Sequence, residues 1–359
     1  MKAVPRIVIV LAAMSLCGSV SCSFNERQDP GGKVVDYSNW MSDNLALLGN
    51  HELKSVVIPG SHNTGMYTIQ DCTQILGFGA NACNTQTQTQ TQSMLQQLQS
   101  GVRYFDLRPV IYNSTFYTGH YSKTEAVVLG CNGALISDIL ADVKTFMESS
   151  SDLVILKFSH YYDRDDEIFK FSETQMQDLA CEVSNQLADY LYNQPAGNLA
   201  EVTINGYISA GGKVLAVFDD LPSTIPGQCK GIYSYADFDE GSGDLIVYDN
   251  YADTNDLQKM EGDQFKRLAN KSYHGDDNLF LLSWTLTQSA EQAIGCEFPG
   301  ATSILDLAKE ADGALQTQIE QKYYDGTITS ETTPNILYVD DVGTFVTDVA
   351  LWLNQKLLQ

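Results

Sequence analysis

Ser55-Val-Val-Ile-Pro-Gly-Ser-His-Asn-Thr-Gly65 is an apolar run that gives way to glycine, polar residues and a histidine. A continuous run of this kind, rather than an alternating one, reads as a strand covered on both faces. Its polar tail then falls at the carboxyl end of the strand, where parallel α/β folds build their sites. A second stretch repeats the pattern: Gly101-Val-Arg-Tyr-Phe-Asp-Leu-Arg108, followed by Tyr117-Thr-Gly-His-Tyr121. His62 and His120 thus stand in matching settings, with Asp106 and Arg108 close in sequence. Imidazole titrates near neutrality and can give or take a proton, and a guanidinium can offset growing negative charge. These are the parts needed for acid–base attack on a phosphate ester.

After the apolar runs Ser55–Pro59 and Arg103–Ile111, five more follow, at Leu153–Phe158, Lys213–Phe218, Leu245–Tyr248, Leu279–Leu286 and Asn335–Val339. Between the runs, Ser137–Glu148, Glu173–Tyr192, Ala301–Tyr323 and Thr344–Lys356 carry apolar residues at helical spacing. The alternation favours an α/β fold, a (β/α) barrel or an open doubly wound sheet. No Gly-x-Gly-x-x-Gly opens a helix after the first strand, which disfavours dinucleotide binding. No Gly-rich linker divides the chain, so residues 40–359 are expected to form one domain, after a signal peptide over 1–22 and an extension over 23–39. The Thr-Gln tract Thr85–Gln92 reads as a polar surface loop entering a helix over Ser93–Gln99, and no chemistry is assigned to it.

The 359-residue chain carries a formal charge of −24. That argues against nucleic acid as a partner and against adsorption to anionic membranes, since both need Lys and Arg. Lys2 and Arg6, the apolar Ile7–Leu16 and the small residues of Gly18–Ser21 read as a secretory signal, so the protein is expected to be extracellular. Of eight cysteines, six follow Cys22, a number that suits disulfides in a secreted chain. Cys72 and Cys83, flanking a Gly-rich loop, are the expected pair. No Cys-x-x-Cys occurs, so a zinc site is not expected.

The strand ends collect chemistry-bearing residues: His62 and Asn63, Asp106 and Arg108, Ser159 and His160, Asp219 and Asp220, Asp249 and Tyr251, Trp284, and Asp340 with Asp341. Here the chain resembles the catalytic domain of phosphatidylinositol-specific phospholipase C, of the single-domain bacterial type and its X-domain relatives. Pro59-Gly-Ser-His-Asn-Thr64 is similar to the first histidine motif of that family. Gly101–Arg108 with Gly119-His120 is similar to the second, and the resemblance runs from about Trp40 to near the end. It implies an irregular (β/α) TIM-type barrel and a two-step mechanism. His62 would be general base on the inositol 2-hydroxyl, and His120 general acid on the departing glycerol oxygen. Asp340 would orient His62, and Arg108 would hold a phosphate oxygen. Asp340 and Asp341 differ by one place, and strand periodicity lets only one point inward.

The resemblance also bears on cofactors. Calcium-dependent relatives carry a carboxylate where this chain has Arg108, and a guanidinium cannot ligate calcium. No metal is therefore expected. Calcium bound through Asn63 and Asp106 is the less favoured alternative, because those two alone make a poor cage. Asn63 stands where metal-independent relatives have Asp, which implies weaker support for His120. Asp249 and Tyr251 match head-group contacts, and Ser159 and Trp284 complete the expected substrate-binding set. The family's inositol-binding Arg is replaced at Phe218-Asp219-Asp220, and the basic residue expected near Ser159 is missing, so the pocket reads as having lost positive charge. His160, His274 and Lys157 read as structural residues. The expected partner is a membrane phospholipid or glycolipid substrate, met by a monomer, with apolar loop residues at Ile75–Phe78 and Phe116–Tyr121 as candidate lipid contacts. Other readings are a phosphodiesterase for a different head group and an inactive lipid- or glycan-binding barrel. A metal-dependent barrel diesterase is disfavoured by Asn63 and Arg108.

Overall fold

The structure is a computed structural model that describes residues 36–73, 84–123, 128–166, 168–195, 197–275, 277–289, 292 and 302–359. Its strands are β1 (Ile58–Ser61), β2 (Tyr104–Leu107), β3 (Pro109–Tyr112), β4 (Thr115–Lys123), β5 (Val128–Leu135) and β6 (Val154–Phe158). They continue with β7 (Tyr162–Asp163), β8 (Val214–Phe218), β9 (Ile232–Asp237), β10 (Leu245–Tyr248), β11 (Asn278–Ser283) and β12 (Ile336–Val339). Eight of these close into a barrel in the order β1-β12-β11-β10-β9-β8-β6-β2, with every neighbouring pair parallel. The expected single-domain barrel is thus the observed architecture. The proposed signal segment, Cys83 and Ile75–Phe78 lie outside the described residues. Among the described residues no helix is long and apolar enough to cross a membrane.

Side-chain alternation along each strand divides two cores. Phe105, Leu107, Leu156, Phe158, Leu337 and Val339 point outward and pack beneath the helices. Ile58, Ile155, Leu215, Val217, Leu279, Leu281 and Ile336 fill the barrel interior. The same alternation carries Asp106, Lys157, Tyr338 and Asp340 to the inner face at the carboxyl ends, so a site forms above an apolar plug.

Two elements differ from expectation. The run Arg103–Ile111 does not continue as one strand. Pro109 has no N–H for a barrel rung, and the chain leaves the barrel there to enter an outer sheet of order β5-β4-β3-β7. Strand β9 was not evident because Ile-Tyr-Ser-Tyr-Ala-Asp alternates instead of forming a continuous apolar run. Its inner residues are Tyr233 and Tyr235.

The outer sheet carries His120 and is docked on the loop that follows His62. Ala134 N–H donates to Gly65 O at 2.9 Å, and Gln70 exchanges two backbone bonds of 2.9 Å with Asn132. The approach requires glycine: a Cβ on Gly65 would lie 2.0 Å from Thr118 Oγ1, and one on Gly133 would lie 2.5 Å from Gly65 O. A disulfide between Cys72 and Cys131 seals the seam. This corrects the expected Cys72–Cys83 pair, since Cys131 sits inside the fold beside the returning loop whereas sequence proximity favoured Cys83. A second disulfide joins Cys181 and Cys229. In the β4–β5 register Cys131 lies opposite His120. Serine replacement at Cys72 and Cys131 opens a 59-residue closure. It should lower unfolding free energy by about 4 kcal/mol, read by denaturant titration, and should reduce turnover as well. The Cys181 and Cys229 pair should affect stability alone.

Candidate active site

A cavity of about 730 Å³ opens at the carboxyl ends of the barrel strands and is lined by His62, Arg108, His120, Lys157, His160, Asp249, Tyr251 and Asp340, among others. His62 directly follows β1, and its N–H continues the ladder to Val339 O at 3.0 Å. Its Nδ1 lies 2.7 Å from Asp340 Oδ1. The carboxylate can only accept, so Nδ1 carries the proton. The opposite nitrogen, Nε2, lies 2.9 Å from Arg108 Nη2, which donates to it. Asp341 turns away from the barrel and accepts from Thr91 Oγ1 at 2.5 Å. The one-place ambiguity thus falls to Asp340, as alternation from Tyr338 requires.

Asp106 anchors the floor and is 1 % exposed. Its Oδ2 accepts from Tyr338 Oη at 2.6 Å, Arg108 Nε at 2.9 Å and Asn63 N at 3.2 Å. Burial alone would raise this carboxyl, but Arg108, Lys157 and His62 outweigh it and hold it well below the usual range. The His120 ring lies 6.4 Å from that of His62, centre to centre. Burial, then Arg108 and His62, push the His120 imidazole down to about 3, so it is neutral at pH 7 in the free site. Its Nδ1 lies 3.3 Å from the Thr87 carbonyl oxygen. The Thr-Gln tract is therefore not a surface loop: Thr87, Thr89 and Gln90 are buried against the site.

Several expected site residues have other places. Trp284 is not a substrate contact. Ser283 faces inward, so Trp284 faces out, where its indole donates to Ala311 O at 2.7 Å within the outer core. Ser159 is fully buried beneath the cavity, and its hydroxyl donates to Asp106 Oδ1 at 3.3 Å. It supports the carboxylate and does not reach a head group. Asn63 is also fully buried. Neither polar atom of its side chain has a hydrogen-bond partner among the described residues, and only its backbone N–H serves the site. It does not reach His120. Phe116 packs on Phe171 and Tyr121 donates to Asn132 Oδ1, so neither projects as an apolar loop tip. Asp249 and Tyr251 do line the cavity, Tyr251 at its exposed rim.

Lys157 and His160, expected to be structural, and Tyr235, which the sequence did not single out, also belong to the site. Lys157 pairs in register with Asp106 and so faces inward. Its Nζ lies 3.3 Å from Asp249 Oδ2 and 4.6 Å from the centre of the Tyr235 ring. This supplies the positive charge that the pocket was expected to lack, and alternation from Asp106 is the signal for it. Tyr235 donates to Asp249 Oδ2 at 2.6 Å. His160 also lines the cavity, held 3.0 Å from the Ser159 hydroxyl.

No family model matches the chain. A PI-PLC X-box domain-containing protein of Dictyostelium discoideum is 26 % identical over 206 residues, covering 55 % of this chain and 25 % of that protein. The variant-surface-glycoprotein phospholipase C of Trypanosoma cruzi is 28 % identical over 156 residues, 36 % of this chain and 38 % of that protein. PI-PLC X domain-containing protein 2 of Mus musculus is 26 % identical, with 44 % and 49 % covered. The chain thus spans between a quarter and a half of these curated relatives. Among solved structures, phosphatidylinositol-specific phospholipase C of Staphylococcus aureus superposes with a TM-score of 0.59 at 19 % identity, over 88 % of this chain and 97 % of that one. The Listeria monocytogenes enzyme gives 0.56 at 19 %, over 88 % and 98 %. The chain is similar in sequence to PI-PLC X-domain proteins and shares the bacterial barrel fold.

Proposed function

We propose that the chain is a secreted phosphodiesterase that cleaves phosphatidylinositol, or a related inositol phospholipid, to diacylglycerol and a cyclic inositol phosphate. One observation carries the reading: His62, tied to Asp340 at 2.7 Å, faces His120 across 6.4 Å with Arg108 at the same point. A phosphate group can bridge that span. With Nδ1–H held by Asp340, Nε2 of His62 carries the lone pair of a base, capped by Arg108 in the free site. A bound phosphodiester draws Arg108 from Nε2 to its own oxygens. His62 then removes the proton of the inositol 2-hydroxyl as its oxygen bonds to phosphorus, and the glycerol oxygen departs with the proton of His120. Water opens the cyclic product with the two roles exchanged. Asp106 keeps Arg108 aimed, and Asp249, Lys157 and Tyr251 offer hydrogen bonds and a ring face to the head group.

Metal-free action is supported by the donors themselves. Asp106 Oδ2 is occupied by three donors, Asn63 is buried and does not line the cavity, and the Arg108 guanidinium already stands beside His62 Nε2. Secretion is supported by the Lys2–Ser21 pattern, and the acidity argues against a nucleic-acid partner. Phosphatidylinositol in mixed micelles should release diacylglycerol equally in excess chelator and in calcium. Activity only with calcium overturns metal independence, and no release in either overturns phosphatidylinositol as substrate.

The free-site state of His120 adds a proton prediction. Arg108 and His62 help to keep it neutral, and a phosphate anion opposes both. Binding of a non-cleavable inositol phosphodiester analogue should therefore take up close to one proton near neutral pH, and affinity should fall as pH rises. Calorimetry in buffers of different ionisation heat measures this, and zero uptake contradicts it.

A glycosylated inositol head group bearing an amine has its own support. Asp219, Asp237 and Glu240 line the same cavity. Burial first, then neighbouring carboxylates, raise Asp237, and Asp219 is raised by burial and nearby acids against the pull of Lys157. That wall gains by receiving a cation, and the Trypanosoma cruzi relative is named for a glycoprotein substrate. A higher kcat/KM on an amino-sugar lipid than on phosphatidylinositol would favour it.

A further inference from the structure

The Thr-Gln tract contributes to the site through one side chain. In the parallel β1–β12 ladder His62 stands opposite Asp340, continuing the register of Ser61 with Val339. The next rung of such a ladder would run from Asp341 N–H to His62 O. It is not made. Asp341 adopts a left-handed φ of 44°, and its N–H donates to Thr89 O at 2.7 Å. The Gln90 amide fills the vacancy. Its Nε2 donates to His62 O at 2.9 Å, and its Oε1 accepts from Val342 N at 3.0 Å. One primary amide thus replaces a peptide group between the two strand ends that hold the base and its carboxylate. Gln90 is fully buried, as is Thr89, whose hydroxyl donates to Asn63 O at 3.0 Å. Without this amide, His62 O and Val342 N–H would lose these bonds inside the protein, a penalty that strand separation and water entry would relieve.

We propose that Gln90 is a positioning residue that holds the His62–Asp340 pair in reactive register, with the rest of the Thr87–Thr91 segment as its strap. The inference rests on the reading of His62 as base and Asp340 as its orienting carboxylate. Two variants of similar volume separate hydrogen bonding from packing. Gln90→Met removes both bonds, whereas Gln90→Glu keeps the acceptor for Val342 and loses the donor to His62 when ionised. A small shift of the base can lower turnover by about 100-fold. Each folded variant should therefore lose on that order in kcat, with KM within threefold. The low-field Nδ1–H proton resonance of His62, identified by its absence in His62→Gln, should shift or broaden. Gln92→Met, whose side chain meets Ser100 rather than the pair, should keep both the resonance and turnover. The resonance needs no substrate, so it decides the inference even if phosphatidylinositol is not turned over. An unchanged resonance and kcat within threefold in either folded Gln90 variant overturns it. So does loss of folding in Gln90→Met alongside an unaltered Gln90→Glu.

Discussion

His120→Ala is expected to lower kcat on phosphatidylinositol by about 10³–10⁴-fold, at the upper end of what a positioned proton donor contributes. The departing glycerol alkoxide is a poor leaving group that must take a proton as its bond to phosphorus breaks. A nitrophenyl inositol phosphodiester leaves as a stable anion and needs no such proton, so the same variant should lose only about tenfold on it. His62→Ala should be slow on both substrates, because each requires the 2-hydroxyl proton to be removed. This crossed pattern separates acid from base. Equal losses by both variants on both substrates would mean that the histidines bind phosphate without dividing the proton work. Since the His120 ring leans on a backbone carbonyl and not a carboxylate, its protonation depends on bound phosphate. The alkaline limb of kcat, where His120 gives up its proton, should therefore lie well above the free-site value of about 3.

Arg108→Ala is expected to act on two quantities at once. Its guanidinium holds Asp106 at 2.9 Å and His62 Nε2 at 2.9 Å. Burial opposes its charge, but Asp106 and Tyr338 raise its affinity for the proton above normal, so it remains a cation. Loss of that cation from the phosphate position should cost about 10²–10³-fold in kcat/KM. It also leaves a buried carboxylate without its nearest ion partner, which should lower stability by about 3 kcal/mol. Arg108→Lys should recover stability more than rate, because a point charge cannot serve Asp106 and two phosphate oxygens together. Thermal unfolding and kinetics well below the transition measure the two effects. Full activity in a destabilised Arg108→Ala would reduce Arg108 to a structural partner of Asp106.

The barrel and the central trio of residues were legible because their signals are local. Continuous apolar runs ending in His62, Asp106 and Asp340 mark strands and their carboxyl ends, and alternation alone brings Asp340 inward while Asp341 turns out. The same rule corrects two further expectations. Trp284 follows the inward Ser283 and had to face outward, and Lys157 lies in register with Asp106 and had to face the cavity. Other features depend on long-range closure that no window of sequence contains. Cys131 meets Cys72 only because the outer sheet folds back over the His62 loop. Gln90 meets the end of β12 across some 250 residues of chain. The polar Thr-Gln composition suggested solvent, yet its amides and hydroxyls satisfy strand ends that the barrel leaves open.

Phosphorus NMR of phosphatidylinositol turnover by the wild-type chain, in excess chelator, tests the central claim most directly. Attack by the substrate's own hydroxyl predicts that a five-membered cyclic phosphodiester signal appears first and decays later to the monophosphate. Both signals should be absent with His62→Ala. Direct formation of inositol monophosphate with no cyclic signal in a single turnover, or of phosphatidic acid, would contradict the account.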